Sequence, residues 1–286
     1  MTMHDGRLFT HPTLARKRFC EIAARPEPSL DLVEGSLVIA LEEDPRLDID
    51  RYLTQFDGWS AAVRQRLEGS LDVERIVESI NRILFDEEGF HGEDEDYYDP
   101  RSALLSDTLD RHAGLPITLS ILYIEMSRRA GVEATGVSLA GRFLVKFTGA
   151  FGEIVVDPFD GGHVMTTPEL QAILDAMYGG GVRLREQHLR GFTRRQILAR
   201  ELAQLKAAYL AQRDLTRAAA SVDRLLILDA RDASEVRDRA ALAVQMHAYA
   251  QAIECFERYL ELMPHAEDRS RVRERIAWLS AWMDQN

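Results

Sequence analysis

Gly114-Leu115-Pro116-Ile117-Thr118-Leu119-Ser120-Ile121-Leu122-Tyr123-Ile124-Glu125-Met126-Ser127-Arg128-Arg129-Ala130-Gly131 is the stretch on which the fold turns. From Leu115 to Ala130 the run is apolar nearly all round, through Ile117, Leu119, Ile121, Leu122, Ile124 and Met126. A helix without a polar face is a buried one. Pro116 suits the first helical turn, Arg128 and Arg129 suit the last, and Gly131 suits the position just past the end. The run therefore predicts a central helix with a core built around it.

Beyond Gly131 the hydrophobic period changes to two. Thr135–Leu139 reads as a strand, and Arg142–Phe147 alternates so that Phe143, Val145 and Phe147 share a face. Glu153–Asp157 is a third strand, ended by Pro158, and Thr148-Gly149-Ala150-Phe151-Gly152 is the hairpin connection. Gly161 and Gly162 predict a turn, and Thr167 or its neighbour caps a helix through Tyr178. The triple glycine Gly179–Gly181 is the best domain boundary in the chain.

Upstream, residues 1–90 read as helices. Pro12–Ala24 is the first. A second runs from about Leu30 and stops before Pro45, a third starts at the cap Asp48, and a fourth starts at the cap Asp72. Asp86–Asp99 is dense in acid. Its acids at Glu93–Asp96 are consecutive, not alternate, and the loop glycine of a calcium hand is missing, so it reads as a solvated loop anchored by Phe90, Tyr97 and Tyr98.

After Arg194 the pattern is helical again. Leu202, Leu205, Tyr209, Ala218, Val222, Leu226, Leu228 and Ala230 recur at a shift of 34 residues as Val236, Arg239, Ala243, Ala252, Phe256, Leu260, Leu262 and Pro264. That is the tetratricopeptide period, with a small residue (Ala218, Ala252) where two antiparallel helices cross closely. Val272, Ile276, Leu279 and Met283 form the apolar edge of a last, capping helix. Trp278 and Trp282 read as core; if exposed they mark an interface. Two repeats fall below the ~3 needed to stand alone, which predicts that the tail docks on the first domain.

Composition bounds the function. The 286 residues are 46% hydrophobic and 29% charged, with 47 acids against 35 bases and a net charge of -12. That balance argues against nucleic acid and anionic membrane as partners, since phosphate binding needs a basic footprint. Arg183, Arg185, Arg190, Arg194 and Arg195 form a local basic cluster that reads as a partner for the protein's own acids. Two distant cysteines, Cys20 and Cys255, suit a reducing compartment, and with no signal peptide or membrane-spanning run the expected location is the cytoplasm.

Several runs together resemble the bacterial SirB family. They are Asn81–Phe90, Tyr97-Tyr98-Asp99-Pro100-Arg101, Gly114–Tyr123, Gly141-Arg142-Phe143-Leu144-Val145 and Asp157-Pro158-Phe159-Asp160-Gly161-Gly162. That family joins a transglutaminase-like core to tetratricopeptide repeats, and the resemblance covers roughly residues 12–282. It implies an α+β, papain-like fold with a central buried helix on an antiparallel sheet. The expected division is a helical region at 1–90 packed as one domain with a core at 91–180, then all-α repeats at 194–286.

In catalytic relatives a cysteine opens the central helix, and a histidine and an aspartate sit on adjacent strands. The thiolate attacks an amide carbonyl, the histidine activates it, and the aspartate orients the histidine. Carried over, the cysteine position falls within Pro116–Thr118, where no cysteine exists, and the histidine position is Arg142, which stays protonated and cannot act as a base. Only Asp157 is retained, so Thr118, Arg142 and Asp157 form a degenerate triad. Ala140 stands where the family tends to have proline, and Ser102 and Ser106 where it tends to have asparagine.

If the hairpin pairs Phe147 with Gly152, Arg142 lies opposite Asp157 and the two form a partly buried ion pair. Ser120, Tyr123, His112 and His163 are candidate cleft residues, and no metal site or cofactor is expected. The reading is a non-catalytic interaction or regulatory scaffold with a protein or peptide partner, bound through the repeats or the degenerate cleft. The alternative is an amide hydrolase or transferase with a hydroxyl nucleophile at Thr118 or Ser120 and His112 or His163 as base.

Overall fold

The computed structural model describes residues 14–93, 99–149 and 152–285. The helices in chain order are α1 (Leu14–Ala23), α2 (Leu32–Glu43), α3 (Ile49–Leu67), α4 (Val73–Asn81), α5 (Leu105–Arg111), α6 (Pro116–Arg129), α7 (Thr167–Tyr178), α8 (Arg194–Ala211), α9 (Leu215–Leu228), α10 (Ala233–Gln245), α11 (Tyr249–Leu262) and α12 (Arg269–Gln285). The strands are β1 (His91–Gly92), β2 (Ala113–Gly114), β3 (Ala134–Leu139), β4 (Arg142–Gly149), β5 (Gly152–Asp157) and β6 (His163–Met165). The architecture is α+β. It divides into two compact units, residues 24–201 and a second unit that joins α1 to the chain from Leu202 onward. No helix among the described residues is long and apolar enough to cross a membrane.

In the first unit α6 is buried from Ile117 to Ser127. The helices α2, α3, α4 and α5 cover part of it, and β2, β3, β4 and the turn Pro158–Asp160 cover the rest. The caps predicted at Asp48 and Asp72, and one not foreseen at Asp31, each accept a backbone N–H of the first turn. Thr166 and Glu169 close α7 with a reciprocal capping box. Beyond α4 the backbone widens into a π-helical turn, Arg82–Glu87.

The sheet order is β3-β4-β5-β6, antiparallel throughout. One face meets α6, where Tyr123 packs edge-on against Phe147. The other carries Val137, Leu139, Leu144 and Val155 under Leu170 and Leu174 of α7. β6 and the short parallel pair β1–β2 were not foreseen: two- and three-residue strands carry too little alternation to register as a period.

The hairpin differs from expectation. Phe147 pairs with Ile154, and Gly149 with Gly152, so the strands run further than predicted and the register shifts by two. The triple glycine also behaves differently. Gly179 ends α7 in the left-handed region at φ 62°, yet the chain beyond it stays on the first unit. The Gln171 side chain donates to Val182 O and accepts from Leu184 N, Leu189 is buried, and Phe192 N donates to Gly136 O. The glycines therefore terminate a helix, and the division between units falls within α8.

Three carboxylates are buried in this unit, Glu125, Asp157 and Glu201. Glu125 on α6 is fully buried, accepts the Leu32 N–H at 3.0 Å, pairs with Arg128 at 2.6 Å and also binds Arg194. Its pKa is nevertheless raised: burial outweighs those cations, and Asp31 adds to it. Arg194 and Arg195, the latter on Glu27 at 2.9 Å, serve the protein's own acids as expected.

The second unit contains the repeats. Of the positions aligned at the 34-residue shift, Leu202, Leu205, Tyr209, Ala218 and Val222 and their counterparts Val236, Arg239, Ala243, Ala252 and Phe256 are buried, while Leu226, Leu228, Leu260 and Leu262 are half-buried and Ala230 and Pro264 exposed. Arg239 takes the place that Leu205 fills one repeat earlier. Its charge is met by Asp223 at 2.6 Å, which also binds Arg16 of α1 at 3.5 Å. That contact, with Phe19 and Ile22 buried, places α1 here and not with the 1–90 region as the sequence suggested. A lone amphipathic helix does not specify which of two apolar surfaces it joins. Trp278 and Trp282, read as core, are exposed.

Two outcomes follow from this packing. Arg194→Ala strips one cation from a buried carboxylate and is expected to lower unfolding free energy by about 3 kcal/mol, read by urea denaturation. Ala252→Leu overfills the α10–α11 crossing and is expected to cost about 1–3 kcal/mol, read as a lower thermal midpoint.

Candidate functional site

The degenerate triad positions are set by α6 and by the end of the β4–β5 hairpin. Thr118 lies in the first turn of α6 and is fully buried. Its hydroxyl donates to Leu115 O at 3.1 Å and accepts from the Thr108 hydroxyl at 3.0 Å. Gly114 roofs the pair so closely that a Cβ there would lie 2.6 Å from the Thr118 hydroxyl oxygen. The Thr118 oxygen is thus committed on both its donor and an acceptor side.

Arg142 opens β4 and Asp157 ends β5. Arg142 Nη1 meets Asp157 Oδ2 at 3.1 Å. The pair forms although the two residues are not directly opposite: the backbone register pairs Asp157 with His163 and Val145 with Val156. It is a diagonal contact, with the same offset as Lys146–Glu153 at 2.6 Å on the same hairpin. A shift of two keeps both residues on one face, and long side chains span the diagonal. The Asp157 side chain is 3% exposed and that of Arg142 56%, so the cation lies at the surface and the anion beneath it. Burial raises the Asp157 pKa, opposed by the Phe159 N–H that its Oδ1 accepts at 3.0 Å and then by Arg142.

The remaining candidates separate into other small networks. His112, at φ 54° after α5, directs Nδ1 to Glu88 O and stacks on Phe90 with centroids 4.6 Å apart. His163 lies in β6, not in a loop, and its Nε2 meets Glu169 at 3.0 Å. Among the described residues no hydrogen bond or ion pair joins either histidine to Thr118 or Ser120, nor Thr118 to Arg142 or Asp157. Ser120 is fully buried, and its hydroxyl has no hydrogen-bond partner among the described residues.

Tyr123 donates to Asn81 Oδ1 at 2.9 Å, and Asn81 Nδ2 donates to Gly162 O at 2.9 Å. That chain ties α4, α6 and the turn after Asp157 together. A Cβ on Gly162, which sits at φ +77°, would overlap the Asn81 amide. Asn81 and Glu169 were missed as site residues; a polar residue ending the strongly amphipathic α4 was the available signal for Asn81.

Ser102 and Ser106 are buried, and Ser102 donates to Glu93 at 3.4 Å. Ala140 adopts φ 46°, which a proline ring cannot, so the β3–β4 turn is built for a residue other than the expected proline. Tyr97 and Tyr98 lie outside the described residues. No group of three or more His, Cys, Asp or Glu among the described residues is placed to hold a metal.

Residues 50–203 match the transglutaminase-like superfamily, and residues 205–277 match the tetratricopeptide repeat. The chain belongs to the transglutaminase-like superfamily. A UPF0162 protein of Xylella fastidiosa (strain 9a5c) is 33% identical over 91% of this chain and 93% of its own length. A UPF0162 protein of Vibrio cholerae is 27% identical over 88% of this chain and 93% of its own. Mouse F-box only protein 21 is 30% identical over 118 residues, which span 37% of this chain and 19% of that protein.

In the transglutaminase-like core the Arg142–Asp157 pair offers a titration. The folded-state pKa of Asp157 lies above its unfolded value. Its contribution to stability is therefore fully present below the unfolded pKa and lost as pH rises through the folded one. Arg142→Ala removes an opposing cation, so the Asp157 carboxyl should titrate still higher, seen by carboxyl-carbon NMR. The variant's deficit in urea denaturation should be larger at neutral pH than at pH below the unfolded carboxylate range.

Proposed function

We propose that this chain is a non-catalytic transglutaminase-like protein, a protein-interaction or regulatory scaffold whose repeats engage a protein or peptide partner. The observation that carries this reading is the state of the Thr118, Arg142 and Asp157 positions. The thiol position is taken by a hydroxyl that is buried and hydrogen-bonded within the core. The base position is taken by a permanent cation paired with the aspartate meant to orient a histidine. Neither of the chain's cysteines belongs to the unit 24–201.

A hydroxyl nucleophile needs an adjacent base. His112 and His163 are engaged with Glu88 O and Glu169 instead. The repeats support the interaction half of the proposal, since stacked helix pairs present extended binding surfaces. The cytoplasm is the compartment we assign, which suits the two unpaired thiols, Cys20 and Cys255.

Purified protein should not hydrolyse or transfer the acyl group of glutamine-amide or activated-ester probes above the buffer rate. Turnover that disappears on Thr118→Ala or Ser120→Ala, with the fold intact by circular dichroism, would overturn the proposal.

A further inference from the structure

The exposed face of α12 is not the polar one expected of a capping helix. A terminal helix in such an array needs a polar outer face. On α12, Val272 and Leu279 are buried, yet Trp278 is 51% exposed and Trp282 40% exposed. At 3.6 residues per turn, Arg271, Arg275, Trp278 and Trp282 fall on one stripe about 60° wide and ~16 Å long. The stripe is ordered by chemistry, with cations at its N-terminal end and indoles at its C-terminal end.

Arg275, Trp278 and Trp282 make ring contacts. Arg275 lies over the Trp278 ring, 4.9 Å from the centroid. Tyr249 stands edge-on to Trp282 at 4.6 Å and also lines a cavity of about 380 Å³ with His247, Gln251 and Met283. Among the described residues neither Arg271 nor Arg275 forms an ion pair, in a chain whose net charge is -12.

From this geometry we infer that the α12 stripe is a docking surface for an acidic amphipathic helix of another protein. The repeat unit is a pair of antiparallel helices, and α12 occupies the place of the first helix of a further pair. What completes such a pair is a helix. The indoles and the Tyr249 cavity call for apolar side chains at one end of it. Arg271 and Arg275 call for carboxylates at the other. The inference deepens the partner half of the proposed function and rests on that half alone.

The test uses the full chain and a fluorescein-labelled amphipathic peptide of Leu, Glu and Ala, about 18 residues or ~27 Å as a helix. A second peptide has every Glu replaced by Lys. The acidic peptide should bind and shift the tryptophan emission, since Trp59, the one tryptophan outside α12, is buried. The Lys peptide should bind at least about tenfold more weakly. Arg271→Glu with Arg275→Glu, and separately the exposed-site change Trp278→Ala, should each weaken the acidic peptide at least about tenfold.

Equal binding of both peptides, no binding of the acidic one, or binding insensitive to those substitutions overturns the inference. So does a dimer in sedimentation equilibrium that Trp278→Ala dissociates, because the face would then belong to a second copy. Turnover of the amide or ester probes would defeat the non-catalytic reading and leave this one standing.

Discussion

A helix with no polar face must be covered on every side, and the core unit is the solution to that requirement for α6. Four helices, three strands and the turn Pro158–Asp160 close around it, from Ile117 to Ser127. A nearly complete apolar jacket leaves the helix's own polar groups without water, and all but the Ser120 hydroxyl have a protein partner among the described residues. Thr118 finds Thr108 and Leu115, Tyr123 finds Asn81, and Ser127 donates to Val132 O at 2.6 Å. Glu125 is the demanding case. A buried carboxylate with its pKa raised by burial is tolerable only because α2 supplies an N–H and two arginines supply charge.

This enclosure also bears on chemistry. A nucleophile at the start of the central helix has to reach substrate while remaining beside a base. Here the hydroxyl nearest that role is turned into the packing under Gly114. The Arg142–Asp157 pair occupies the hairpin end with a surface cation above a buried anion. An ion pair of that kind holds two strands together, whereas a histidine–aspartate pair would leave a titratable nitrogen free for proton transfer. The residues in the triad positions are thus engaged in packing and in an ion pair, and among the described residues no hydrogen bond joins Thr118 to Arg142 or Asp157.

Much of this was legible in the sequence. The all-apolar run 115–130, the aspartate caps at 48 and 72 and the 34-residue shift each carry a strong local signal, and each element formed where its signal lay. The ion pair was legible as well, but for a reason only half right. Alternation fixes which face a strand residue occupies, so a register error of two preserved the face of Arg142 and Asp157 while misplacing their partners. Register itself depends on how far the hairpin strands extend, and glycines at 149 and 152 gave no sign that they pair.

What stayed hidden was long-range. No local pattern tells that α1 joins the tail through Arg16 and Asp223, or that Asn81 bridges Tyr123 to Gly162 across 81 residues of chain. The same limit explains the α12 tryptophans. Spacing of four places Trp278 and Trp282 on one face, and Val272 and Leu279 show that α12 also has a buried face. Sequence periodicity gives the angle between the two stripes but not which one meets protein. The structure assigns the aliphatic stripe to the core and leaves the arginine–tryptophan stripe outside. That is the arrangement expected where a helix has one neighbour within the fold and room for another.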